Sequence, residues 1–81
     1  MKIPRDLSGE KLIKKLKKLG YSITRQTGSH IRLTFINQNS NEFHITIPNH
    51  SPIKVGTLNN ILNDISEHQS LSKEQILKLI S

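Results

Sequence analysis

The chain has no cysteine and no tryptophan, only 4% aromatic residues, and half as many acidic as basic side chains. Each shortage excludes something. Without cysteine there is no disulfide framework, no thiolate zinc site and no cysteine nucleophile. Small secreted domains usually depend on such staples, so a reducing, cytoplasmic setting is expected. Apolar residues fill 33% of the 81 positions, below the roughly 45–50% usual in globular domains. Their longest unbroken runs are pairs, so no segment reads as a membrane span. The opening Met-Lys-Ile-Pro-Arg-Asp lacks the apolar stretch of a signal peptide. A chain this short buries only about 60–65% of its unfolded surface, which leaves room for one small core and a single domain over residues 1–81.

What the chain does have is positive charge. Twelve Lys and Arg against six Asp and Glu give a net charge of +6 and a pI near 10. Such a balance calls for an anionic partner. Composition alone leaves nucleic acid, an acidic protein and a membrane surface open.

Periodicity divides the chain into elements. Ser8 is a good N-cap with Glu10 in the following turn. Leu12, Ile13, Leu16 and Leu19 recur at helical spacing, and Gly20 is a natural stop, so a helix is expected over residues 9–19. From Tyr21 the period changes to 2, and three half-buried strands follow, around Tyr21–Ile23, Ile31–Phe35 and Phe43–Ile47. Setting Phe35 opposite Phe43 also sets Leu33 opposite Ile45 and Ile31 opposite Ile47. For the first hairpin, unbroken alternation favours a three-residue loop, Gln26-Thr27-Gly28, with Ile23 opposite Ile31 and Thr24 directly across from His30. A second helix beginning at Gly56 or Thr57 carries Leu58, Ile61, Leu62 and Ile65 on one stripe. A short last helix starts at the capping box Ser72-Lys73-Glu74-Gln75. The order α–β–β–β–α plus a terminal helix gives an α+β two-layer sandwich. Its three-stranded antiparallel sheet is covered by helices on one face and open on the other.

On that register Thr24, His30, Arg32, Thr34, His44 and Thr46 share the open face. Imidazole exchanges protons near neutral pH and guanidinium grips phosphoryl oxygens, so His30 beside Arg32 is suited to a phosphate ester. RNA cleavage needs little more, because the 2′-hydroxyl is an internal nucleophile. Polar residues on a solvated strand face are equally ordinary surface. The histidines show no metal-ligand spacing and no acidic cluster, so no metal and no cofactor is expected. Lys11, Lys14, Lys15, Lys17 and Lys18 make the first helix strongly basic; that reads either as a solubilising face or as sequence-independent phosphate contact. An amphipathic membrane helix is disfavoured because the sheet needs the same apolar stripe. The aromatics fall on the inward face and leave no platform for stacking bases.

Four ordered blocks carry a resemblance. They are Leu7-Ser8-Gly9 with the Lys-rich helix ending in Leu19-Gly20-Tyr21; Arg25-Gln26-Thr27-Gly28-Ser29-His30; Ile45-Thr46-Ile47-Pro48-Asn49-His50; and Gly56-Thr57-Leu58-Asn59-Asn60-Ile61-Leu62. Over residues 5–65 the chain resembles the HicA (YcfA-like) toxin family. The resemblance implies a fold like the double-stranded RNA-binding domain. It also implies mRNA interferase activity in a type II toxin–antitoxin system and a HicB-type antitoxin that shields the active site. It marks His30, after Gly28-Ser29, as the catalytic histidine, and places His50 in a Pro-x-His loop where it acts as acid or phosphate ligand, or pins the loop. Ser29 and Arg32 are further candidates for assisting catalysis; Lys11, Lys14, Lys15, Lys18 and Arg25 are candidates for RNA binding. The family often has a Gly-containing turn after the second helix, and this chain has none at residues 63–70.

Two rival readings stay open from sequence. One is a non-catalytic double-stranded RNA-binding module, against which stands the single basic residue, Lys54, near the start of the second helix. The other is a degenerate toxin that only binds its antitoxin.

Overall fold

Helix α1 (Gly9–Lys18) begins where the sequence places its cap: the Ser8 side chain accepts a hydrogen bond from the Lys11 amide at 3.1 Å. It ends one residue earlier than expected, at a Leu19 cap followed by Gly20 with φ of +102°. Leu12, Ile13 and Leu16 are buried, and the lysines occupy the remaining faces. The Lys14–Glu10 pair, 3.9 Å apart and well exposed, adds little to stability. The computed structural model describes residues 3–80, so Met1, Lys2 and Ser81, the ends of the expected 1–81 domain, lie outside the described residues.

Strands β1 (Ser22–Thr27), β2 (His30–Ile36) and β3 (Glu42–Pro48) form one antiparallel sheet in the order β1-β2-β3. The second hairpin has the expected register, with Phe35 opposite Phe43, Leu33 opposite Ile45 and Ile31 opposite Ile47. Its loop is closed by Asn37, whose carboxamide oxygen accepts from the amides of Asn39 and Asn41 at 2.9 and 3.0 Å. The first hairpin corrects the sequence reading. Its loop has two residues, Gly28 and Ser29, and Thr27 pairs with His30, Gln26 with Ile31 and Arg25 with Arg32. Gly28, at φ +57°, stands first in the turn, where a tight hairpin requires a left-handed residue. A bulge between Ile23 and Arg25 then returns Ile23 to the inward face, opposite Leu33. Thr24 therefore lies beside Thr34 rather than across from His30; their hydroxyls are 2.8 Å apart.

Helices α2 (Val55–Gln69) and α3 (Lys73–Ile80) complete the covering layer. α2 starts one residue before the expected range and buries Leu58, Ile61, Leu62 and Ile65. The capping box forms before α3: the Gln75 amide donates to the Ser72 hydroxyl at 3.1 Å, and the Ser72 amide donates back to the Gln75 side chain at 2.9 Å. Together with α1 and the inward strand residues these helices enclose one core. The fold is the expected α+β sandwich.

The far end of that core is closed by rings. Tyr21, Phe35, Phe43 and His68 form a chain of aromatic contacts with centroids 4.8–6.3 Å apart. The Tyr21 hydroxyl is hydrogen-bonded to His68 Nδ1 at 2.8 Å. Burial pushes the Tyr21 phenol up to about 12, despite the Gln69 hydrogen bond that opposes it and with nearby Asp64 adding to it. Burial likewise lowers His68, outweighing the pull of Asp64 and Glu67 in the other direction. The folded state thus binds the His68 proton less well than the unfolded chain, whose imidazole titrates near 6.5. The sign follows: the packing contribution of neutral His68 is intact above 6.5 and is lost as pH falls below it. Thermal melts between pH 8 and pH 5 should show a falling midpoint through the acid side, and His68→Phe should flatten that slope.

Candidate active site

The chain from Pro48 to Lys54 leaves the sheet edge and is held by main-chain bonds at three points. The Asn49 amide donates to the Ser29 carbonyl at 2.6 Å, tying the loop to the first hairpin. The Gly9 amide donates to the His50 carbonyl, and the Ile53 amide to the Leu7 carbonyl, both at 2.8 Å. The start of α1 is therefore strapped to the loop on either side of Ser8. The strap works only at contact distance: a Cβ on Gly9 would stand 2.2 Å from the Pro48 carbonyl oxygen and 3.1 Å from Asn49 Cα. The Ser51–Pro52 peptide within the loop is cis.

This closure builds a concavity of about 600 Å³ between the sheet end, the loop and the start of α2. His30, Thr46, Pro48, His50, Lys54 and Thr57 are among its lining residues. His30 enters from the first position of β2, where it pairs with Thr27 on one side and Pro48 on the other. His50 enters from the strapped loop, and Lys54 from the cap of α2. Ser29, partly buried, contributes the carbonyl that holds Asn49 rather than a lining group. The wall bears no carboxylate. Its groups can shuttle protons, hydrogen-bond and hold an anion. Among the described residues no group of three or more His, Asp or Glu converges on a point suited to a metal ion.

The other candidates lie around this pocket. Arg32 is two residues along β2 from His30, paired with Arg25 on one neighbour and Thr46 on the other. Directly opposed residues share a face, so the bulge sets two guanidiniums side by side on the open sheet. The next row is a hydroxyl–imidazole ladder across all three strands. Thr24 bonds to Thr34, Thr34 Oγ1 lies 2.9 Å from His44 Nδ1, and His44 Nε2 lies 3.2 Å from Glu42. Both nitrogens of His44 are occupied, and Thr34 is only 8% exposed. Lys11, Lys14, Lys15 and Lys18 are not gathered with His30. They edge a separate groove of about 680 Å³ with Leu7 and Ile80, in the helical layer.

A family model described as the HicA toxin of bacterial toxin–antitoxin systems matches residues 9–66, from the first residue of α1 to within α2. The chain belongs to the HicA toxin family. No curated protein and no solved structure matches it significantly. The family match ends before α3, which packs on α2 and α1 beyond it. No helix among the described residues is long and apolar enough to cross a membrane.

Two residues of this HicA site escape a reading by pattern. Gly9 looks like an ordinary first-turn residue; its one sequence signal is a glycine among good helix formers. Lys54 carries weight only once the loop closes, and its signal is a lone basic residue between a Pro-x-His segment and a helix start. Gly9→Ala should cost about 1–3 kcal/mol, since the obstacle is backbone and α1 must lift off the loop. Gly56→Ala, which meets nothing within 4 Å, should be neutral or slightly stabilising. Urea denaturation of the two variants side by side checks the contrast.

Proposed function

We propose that this HicA-family chain is a metal-independent ribonuclease toxin, an mRNA interferase, with His30 as its proton-transfer residue. The observation that carries the reading is the convergence of His30 and His50 in one carboxylate-free pocket of a basic chain that belongs to a toxin family. His30 takes the proton of the 2′-hydroxyl as general base or gives one to the leaving 5′-oxygen as general acid. His50 assists from the facing loop. Ser29 anchors that loop to the hairpin and stands beside the site. The target is RNA because only RNA carries the internal nucleophile. An mRNA target sets the protein in the cytoplasm.

In this reading Arg25 and Arg32 hold backbone phosphates next to the pocket. Lys11, Lys14, Lys15 and Lys18 add long-range attraction from the helical layer. A HicB-type antitoxin with an acidic face complements the +6 charge and silences the toxin by covering the pocket. A non-catalytic double-stranded RNA-binding module is disfavoured by the composition of α2, whose first turn bears no lysine or arginine after the Lys54 cap.

His30→Ala should abolish cleavage of a long transcript in EDTA while leaving the melting temperature unchanged, because His30 is exposed. Retained cleavage by the folded variant would remove His30 from the mechanism. RNA binding without cleavage by the wild-type chain would replace the enzyme with a binding module. Replacing Lys11, Lys14, Lys15 and Lys18 together by Gln should weaken RNA binding and reduce the log–log salt slope by up to about 3, with the rate of bound substrate unchanged. Filter binding across a salt series reads this directly.

A further inference from the structure

The pocket that holds His30 and His50 also holds Lys54, and its placement gives it a task distinct from that of the other cations. We propose that Lys54 binds a phosphate group in this pocket, gripping a non-bridging oxygen of the scissile phosphodiester. The proposal rests on the ribonuclease reading above for the identity of that phosphate, though not for the existence of an anion site.

Three observations carry it. The concavity, about 600 Å³, is of a size that takes a nucleotide. Its lining has two imidazoles, one ammonium and the hydroxyl-bearing Thr46 and Thr57, with no acidic side chain, so its chemistry selects an anion. The second observation is that Lys54 is held where most surface lysines are loose. Ile53 before it is only 2% exposed and bonded through its amide to Leu7. The Lys54 carbonyl accepts the Leu58 amide at 2.9 Å. The lysine's backbone is therefore fixed on both sides, and only its side chain is free to follow a ligand. Third, among the described residues no carboxylate pairs with it. The ion pairs among the described residues join Lys14 to Glu10 and His44 to Glu42. Arg25 and Arg32, the other strong phosphate ligands nearby, do not line the pocket. They are placed for the phosphates that flank the reacting one.

The step balances without a further reagent. An imidazole takes the 2′-hydroxyl proton, the 2′-oxygen–phosphorus bond forms, and the phosphorus–5′-oxygen bond breaks. The departing oxygen takes a proton from a protonated imidazole, leaving a 2′,3′-cyclic phosphate and a 5′-hydroxyl. Lys54 exchanges no proton. Its charge meets the one that builds on the equatorial oxygens, which is worth most in the transition state.

The test uses the full chain, isotope-labelled, titrated with inorganic phosphate and followed by NMR, with cleavage kinetics on the same variants. Phosphate should shift the signals of Lys54, Thr57 and the His30 ring, and Lys54→Met should abolish those shifts. In cleavage, Lys54→Met should lower kcat about a hundredfold with KM little changed, and Lys54→Arg should restore most of it. Shifts confined to Arg25 and Arg32, or a Lys54→Met variant with raised KM and normal kcat, would overturn the proposal and reduce Lys54 to part of a diffuse field. If the wild-type chain cuts nothing yet phosphate still perturbs the pocket through Lys54, the ribonuclease reading fails while the anion site stands.

Discussion

Everything at the candidate site depends on the backbone strap between the start of α1 and the 48–53 loop. The Gly9 amide and the Leu7 carbonyl reach the loop on opposite sides of Ser8, at His50 and Ile53. That geometry demands a helix start without a side chain at position 9, because Pro48 and Asn49 pass where a Cβ would be. Ser8 therefore has two duties. Its side chain caps α1, and its neighbours bind the loop that presents His50. The third tie, from Asn49 to Ser29, links the same loop to the turn that precedes His30. Two histidines twenty residues apart are thereby placed by one short network of main-chain bonds.

The protein distributes its positive charge by layer. The lysines of α1 sit on the helical side, where their stems line a groove with Leu7 and Ile80. Arg25, Arg32, His30 and His44 lie on the sheet, and His50 lies in the loop at its end. An anion approaching the sheet face meets Arg25 and Arg32 together, then the pocket. The lysines act on it at longer range, through a field that salt screens. The hydroxyl ladder of Thr24, Thr34 and His44 separates the arginine row from the aromatic end of the molecule, and its members satisfy one another. It is thus poorly suited to hold a ligand, although its residues are the same types that elsewhere form sites.

How much of this was legible depended on whether one local rule governed the outcome. The second hairpin was readable because three apolar pairs, Phe35–Phe43, Leu33–Ile45 and Ile31–Ile47, all had to face the helices, and a one-residue slip would expose every one. The same rule misled at the first hairpin. It assumes unbroken alternation, and β1 has only Ile23 to enforce it. A bulge at Thr24, whose hydroxyl finds Thr34 and the Arg32 carbonyl, absorbs one residue and permits the tighter Gly28–Ser29 turn. His30 and His50 were visible as candidates, since each stands in a recognisable segment. Gly9 and Lys54 were not, because their roles arise only once the 48–53 loop closes on the start of α1 and on the end of the sheet.

The bulge has one more effect. All six residues of β1 are exposed, and the strand's outer edge offers unpaired amides and carbonyls to any extended chain that meets it. A flat, apolar edge would invite stacking of one copy on another. Here the extra residue kinks the strand midway, and Arg25 stands beside the kink with its charge repelled by its own image on a second molecule. The irregularity that pairs two arginines across the sheet also leaves this margin kinked and charged, features that disfavour edge-to-edge pairing.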